Sequence, residues 1–374
     1  MEWGIAAPIH EAGPAIEHGG RLRAARRRFP DAPWPFLDLS TGINPVPYPV
    51  PSLPTEALTR LPEPEALDTL QAAAAGAYGV CDPAMVVAAP GTQALISLLP
   101  LLVPQRRALV LGPTYGEHAT AWRNAGADVH LLPFLLGRGR GEGVLATKRG
   151  AAGADGTQPC FEQDRAGLPP HPNPLPQEEG AAVLCNPNNP DGRRVPVPDL
   201  LALAARHALT VVDEAFADFE PQDSLAPHLP RPGVVVLRSF GKAYGLAGLR
   251  LGFALAEPAL AARIRAALGP WAVSGPALHV GAAALADNAW RDQAGQRLRA
   301  DAAALDALLV RAGMEVVGGT SLFRLVDAPN AAAWADRLGR AGILVRSFAE
   351  APTRLRFGIP CGPDRDRLVA VLGG

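Results

Sequence analysis

The chain has 374 residues and a formal net charge of -1, so no bulk positive field draws it to nucleic acid or to an anionic membrane. Hydrophobic residues make up 48% of it, and its length exceeds the usual single-domain size, which predicts a large domain and a smaller terminal one. Its cysteines, Cys81, Cys160, Cys185 and Cys361, have neither a metal-ligand spacing nor the density of a secreted disulfide scaffold, so neither of those classes is expected.

Met1 to Pro8 lacks a basic patch followed by a long apolar run, so a leader or span is not expected there and a cytoplasmic protein is. Residues 1–60, with prolines at 45, 47, 49, 51 and 54, read as an extended arm. The arm carries two short motifs, Glu17-His18-Gly19-Gly20 and Asp38-Leu39-Ser40-Thr41-Gly42-Ile43-Asn44-Pro45.

Residues 61–270 are expected to form the large domain, of alternating strand and helix. Met85 to Ala88 reads as a strand, and Ala89-Pro90-Gly91-Thr92-Gln93 leads it into an apolar helical pattern. The amides of Gly91, Thr92 and Gln93 and the Thr92 hydroxyl would then lie at a positive helix end suited to phosphate. Leu95 to Val103 is too short and too near prolines to cross a bilayer.

From Gly137 to Gly180 the composition turns to Gly/Arg alternation and then to a proline-rich run, Pro169 to Pro176, which cannot easily bury a core. A mobile, disordered insertion is expected there. Its basic residues, Arg138, Arg140, Lys148 and Arg149, are followed by acidic ones.

Beyond the insertion, Ala181 to Cys185 reads as a strand running into a rigid turn, Asn186 to Gly192. Val211-Val212-Asp213 is a strand ending in acid, and Val234 to Ser239 a strand that releases the chain just before Lys242. Both Asp213 and Lys242 then sit at strand ends, where open α/β sheets bind ligands. Only Lys148 and Lys242 are lysines among the 35 basic residues. A lysine becomes a nucleophile when its pKa falls, whereas arginine stays charged and forms no imine. Residues 271–374 are expected to supply a connecting helix and a small domain, with strands at Val316-Val317 and Leu322 to Leu325.

Together Asn189, Asp213, Ser239, Lys242 and Arg250 resemble the cofactor constellation of fold-type I pyridoxal phosphate enzymes, the aspartate aminotransferase-like superfamily. The resemblance implies an α/β fold with a large mixed-sheet domain and a smaller α+β terminal domain, and pyridoxal 5'-phosphate as cofactor. By it Lys242 would carry the cofactor as a Schiff base, and Asp213 would pair with the pyridine nitrogen. Asn189 would stand beside O3′, Tyr115 would stack on the ring, and Ser239, Arg250 and the Gly91-Thr92-Gln93 turn would hold the phosphate. Near the end of the chain, Arg356 matches an arginine that binds the substrate carboxylate. Arg346 matches one that holds a substrate phosphate in the histidinol-phosphate aminotransferase branch.

The two motifs of the arm are similar to the opening of the L-threonine-O-3-phosphate decarboxylases of cobalamin biosynthesis. That likeness implies a substrate phosphate at His18 and Gly19 and a substrate carboxylate near Asn44, with Asn189 also at the substrate. The implied reaction is decarboxylation of L-threonine O-3-phosphate; a histidinol-phosphate or related aminotransferase is the alternative, and a cofactor-binding regulatory module the non-enzyme one. Two residues depart from the wider pattern. Phe216 stands where many aminotransferases have a tyrosine bonded to O3′, and Leu61 where relatives place a tyrosine that reaches the partner's cofactor. A homodimer is still implied, with no nucleic acid or membrane partner.

Overall fold

The computed structural model describes residues 19–133 and 178–373. Seven strands form one sheet: β1 (Val86–Ala89), β2 (Arg107–Gly112), β3 (Asp128–Pro133), β4 (Glu178–Cys185), β5 (His207–Asp213), β6 (Val234–Ser239) and β7 (Gly252–Ala256). Their spatial order is β1-β7-β6-β5-β4-β2-β3. Neighbours run parallel except at β7, which is antiparallel to both β1 and β6.

The central strands are continuous apolar runs because both sheet faces are covered. Val211, Val235 and Leu237 face the helices Thr92–Leu102 and Pro258–Leu268, where Leu95, Leu99 and Ile264 complete one core. Val212, Val234 and Val236 face the other way, onto Leu70 and Ala74 of Pro64–Tyr78 and Leu278 of Gly275–Ala286.

Period two also sorts the polar residues at the strand ends. Asp213 faces one side, while its neighbour Glu214 turns to the other and meets Arg238 at 2.8 Å. Arg238 lies 3.4 Å from Asp218 and rests on the Tyr78 ring at 4.5 Å. Glu214 also accepts from Ser224 Oγ and from the Leu225 amide, each at 2.6 Å. Removing Arg238 would leave two buried carboxylates uncompensated, a loss of about 3–5 kcal/mol.

A second sheet, antiparallel throughout, is built from β8 (Glu315–Thr320), β9 (Phe323–Asp327), β10 (Arg346–Ser347) and β11 (Arg354–Gly358), in the order β10-β11-β9-β8. The helix Asn288–Arg311 leads into it, capped by the Asp287 side chain, which accepts from the Trp290 amide at 2.9 Å.

The structure differs from the sequence reading in two places. The arm is not wholly extended: it holds the helices Leu22–Arg28 and Glu56–Thr59, and Leu37–Asp38 pairs in parallel with Ile343–Leu344. Ala25, Phe29, Ala32 and Phe36 give it an apolar cluster of its own, which a run of prolines further on does not reveal. Strand β4 begins at Glu178, inside the interval expected to be insertion as far as Gly180. The basic residues of that interval, Arg138, Arg140, Lys148 and Arg149, lie outside the described residues. No described helix is long and apolar enough to cross a membrane.

Candidate active site

A cavity of about 690 Å³ opens at the carboxyl ends of β4, β5 and β6, whose last residues Cys185, Asp213 and Ser239 all line it. Parallel pairing carries these three ends to one edge of the sheet, with Cys185 directly opposite Asp213.

Lys242 enters from the single turn Phe240–Ala243 that follows β6. Its Nζ donates to Thr41 O at 3.2 Å and lies 5.5 Å from the centre of the Phe216 ring. Burial lowers the amine to about 8; Arg356 and Arg250 push in the same direction, and Asp213 and Asp38 oppose them. A useful fraction is therefore neutral and nucleophilic near pH 7.

Asp213 is 4% exposed. One carboxylate oxygen accepts from the Ala215 amide at 3.0 Å, and the other bonds His118 Nε2 at 2.9 Å. The sequence reading passed over His118. Burial by itself would lower its pKa, but hydrogen bonds to Asp213 and Cys185 outweigh burial and hold it up at about 10. His118 is thus a cation set against the Asp213 carboxylate. The signal was its place one helical turn after Tyr115, at the start of the helix Gly116–Asn124; the two rings meet edge to face with centroids 6.0 Å apart.

One end of the cavity carries groups that suit an anion. Gly91 has φ 87 and caps the helix Thr92–Leu102, whose first amides, Thr92 and Gln93, have no acceptor within the helix. A Cβ on Gly91 would stand 2.6 Å from Arg250 Nη2, so the arginine can reach the helix end only over a glycine. Ser239 and Arg250 line the same wall. The Gln93 side chain turns aside to accept from Tyr115 OH at 3.1 Å. In the wall nearby, Thr114 Oγ1 is buried with no hydrogen-bond partner among the described residues. A positive helix end, an arginine, a half-buried amine, a buried carboxylate and an aromatic ring fit a phosphorylated pyridine aldehyde.

The other end is cationic. Arg356 on β11 is the direct cross-strand partner of Arg346 on β10, so both side chains leave the same face. Arg356 is buried, donates from Nη2 to Ser40 O at 2.7 Å and from Nη1 to Asn189 Oδ1, and lies over the Phe323 ring at 5.1 Å. Burial, with repulsion from Arg346, lowers its pKa to about 10. Gly19 and Ser40 complete this wall.

Asn44, expected at the substrate, is not part of the wall. Its Nδ2 donates to Ala243 O at 2.8 Å, and its Oδ1 accepts from the Val46 amide at 3.1 Å and from Arg297 Nη2 at 3.2 Å. Its own amide donates to Lys242 O at 3.0 Å, so it braces the backbone that carries the lysine. His18 lies outside the described residues. Phe216 meets Phe323 edge to face at 5.0 Å, and Leu61 is 63% exposed.

The sequence matches the family Aminotransferase class I and II over residues 52–372. The chain belongs to this family. Among aminotransferase-family proteins it is similar to a threonine-phosphate decarboxylase of Pseudomonas aeruginosa, with 44% identity over 352 residues, 92% of this chain and 93% of that protein. A threonine-phosphate decarboxylase of Sinorhizobium sp is 41% identical over 361 residues, 95% of this chain and 96% of that one. The fold is shared with histidinol-phosphate aminotransferase from Sinorhizobium meliloti in complex with pyridoxal-5'-phosphate, at TM-score 0.72 and 22% identity, covering 98% of this chain and 97% of that one. The α/β architecture anticipated from the strand-end motifs is thus that of the aminotransferase family.

Proposed function

We propose that this chain is a pyridoxal phosphate-dependent carboxy-lyase that converts L-threonine O-3-phosphate to (R)-1-aminopropan-2-yl phosphate and carbon dioxide in cobalamin biosynthesis. The observation that carries the reading is the pair Arg346 and Arg356 in one cavity with Lys242, within a chain similar along its length to threonine-phosphate decarboxylases.

Bound in this cavity, pyridoxal phosphate supplies an aldehyde that takes the substrate amine and a conjugated ring that accepts the electron pair left on Cα. Gly91, Thr92, Gln93, Ser239 and Arg250 would hold its phosphate, with Tyr115 against the ring and Asn189 at its edge. Asp213, fixed by its bond to His118, would pair with the pyridine nitrogen and favour its protonated form. Arg356, fixed by Ser40 and Asn189, binds the substrate carboxylate and orients the bond that breaks. Arg346 and Gly19 would receive the substrate phosphate, and we assign His18, next to Gly19 in the sequence, to the same phosphate. The Lys242 amine, at about 8, can return a proton to Cα once carbon dioxide has left.

We read the chain as an arm (1–60), a large cofactor domain (61–270) and a small domain (271–374), acting as a cytoplasmic homodimer. Leu58, Leu61 and Trp271, each more than half exposed, support the dimer, since Gly275 lies against the Ala57 backbone and joins their two segments. The thiols Cys185 and Cys361, neither in a disulfide among the described residues, suit a reducing compartment.

The test is to mix cofactor-loaded protein with L-threonine O-3-phosphate and follow carbon dioxide together with the cofactor spectrum. Repeated release with the aldehyde form retained is expected. Absence of release, with conversion to the amine form by histidinol phosphate or glutamate, would replace this reading by an aminotransferase.

A further inference from the structure

Ser40 is 2% exposed and hydrogen-bonded at every polar atom it has. Its amide and its Oγ–H both donate to Asp38 Oδ1, at 2.9 and 2.6 Å. Its Oγ accepts from the Gly20 amide at 2.8 Å, and its carbonyl accepts from Arg356 Nη2 at 2.7 Å. The next carbonyl, Thr41 O, accepts from Lys242 Nζ at 3.2 Å. Gly19 is pressed so close that a Cβ there would lie 2.5 Å from Ser40 O.

Asp38 is itself held in place. Its residue pairs with Leu344 in the short parallel ladder, and Leu39 N donates to Leu344 O at 2.8 Å, two residues before Arg346. One hydroxyl therefore lies where three segments meet: the start of the arm at Gly19-Gly20, the strand that carries Arg356, and the approach to Arg346. The hydroxyl both donates to Asp38 and accepts from Gly20; an alanine side chain does neither and leaves only the backbone amide on Asp38.

We propose that the Asp38–Ser40 pair is a latch that fixes Gly19-Gly20 against Arg356, setting the groups for the two ends of a phosphorylated amino acid at one spacing before it binds. The nature of that substrate rests on the decarboxylase reading; the latch is a property of the chain itself. Ser40 is a positioning residue in this scheme, acting through Arg356 and the Gly20 backbone. A fixed spacing favours a substrate whose carboxylate and phosphate are separated by two carbons and resists a longer one.

The experiment compares cofactor-loaded wild type with Ser40→Ala and Asp38→Ala, which break the latch, and Asp38→Asn, whose amide oxygen still accepts from Ser40. Loss of one buried hydrogen bond should raise the hydrogen-exchange rate of the Gly20 amide by roughly tenfold in both alanine variants. It should also raise KM for L-threonine O-3-phosphate by about tenfold, with a smaller fall in kcat, while Asp38→Asn keeps exchange at Gly20 near wild type. Unchanged exchange at Gly20 in both alanine variants overturns the latch. So does a fall in kcat and cofactor retention with KM unmoved, which is the pattern of general damage. A wild type that releases no carbon dioxide sinks the decarboxylase reading alone, because the exchange comparison needs no substrate and still decides whether the latch exists.

Discussion

Lys242 owes its reactivity to where it is held rather than to what it is. Among its neighbours, burial and Arg356 lower the amine, so imine formation with the aldehyde should increase as pH rises through about 8 instead of near the ordinary lysine value. Stopped-flow absorbance of cofactor loading against pH measures this directly. Arg356→Gln removes a positive neighbour, which favours the charged amine, so the loading profile should move to higher pH. Under the proposed function, the same variant would deprive the substrate carboxylate of its partner. A loss of about 2 kcal/mol or more, roughly 30-fold in kcat/KM, is expected from steady-state rates.

At the scale of elements, the glycine at the mouth of the helix Thr92–Leu102 is what lets an anion approach. Gly91→Ala would force a side chain into a positive-φ backbone and against the Arg250 guanidinium. Strain of about 1–3 kcal/mol, or roughly 10- to 100-fold in cofactor affinity, should follow, read by equilibrium titration of the cofactor-free protein. A melting temperature close to wild type without cofactor would show that the loss is local.

This turn was legible because a strand, a glycine and an apolar helix stand next to each other in the chain. Asp213, Ser239 and Lys242 were legible for the same reason, each lying at or just after the end of an apolar run. His118 was harder to read, since its place one turn after Tyr115 gains meaning only when another strand brings Asp213 to within 2.9 Å. Asn44 shows another side of this. The motif put it near the substrate carboxylate, and the fold adds what the sequence does not show, that its side-chain amide donates to Ala243 O, a contact 199 residues away in sequence. Helix Leu22–Arg28 was hidden too, because its short apolar face becomes evident only against Phe29 and Phe36.

Over the whole molecule, large apolar side chains remain in contact with solvent at Leu58, Leu61 and Trp271. A second copy would cover them, and sedimentation velocity should show a dimer. Trp271→Glu, at 59% exposure, should drive the protein toward monomer while leaving its far-ultraviolet circular dichroism unchanged. A dimer that persists in this variant would place the interface elsewhere.

The seventh strand of the large sheet slots between the sixth and the first, and among the described residues it is the first strand's only neighbour in the sheet. Gly91 and Thr92 follow the first strand, Ser239 ends the sixth, and Arg250 stands just before the seventh. A growing or refolding chain therefore keeps the two halves of its anion cradle apart until that late, long-range closure is made. Capture of the cofactor becomes a proofreading event: it rewards only chains that have finished assembling, and the colour change of loading should trail the slowest step of refolding.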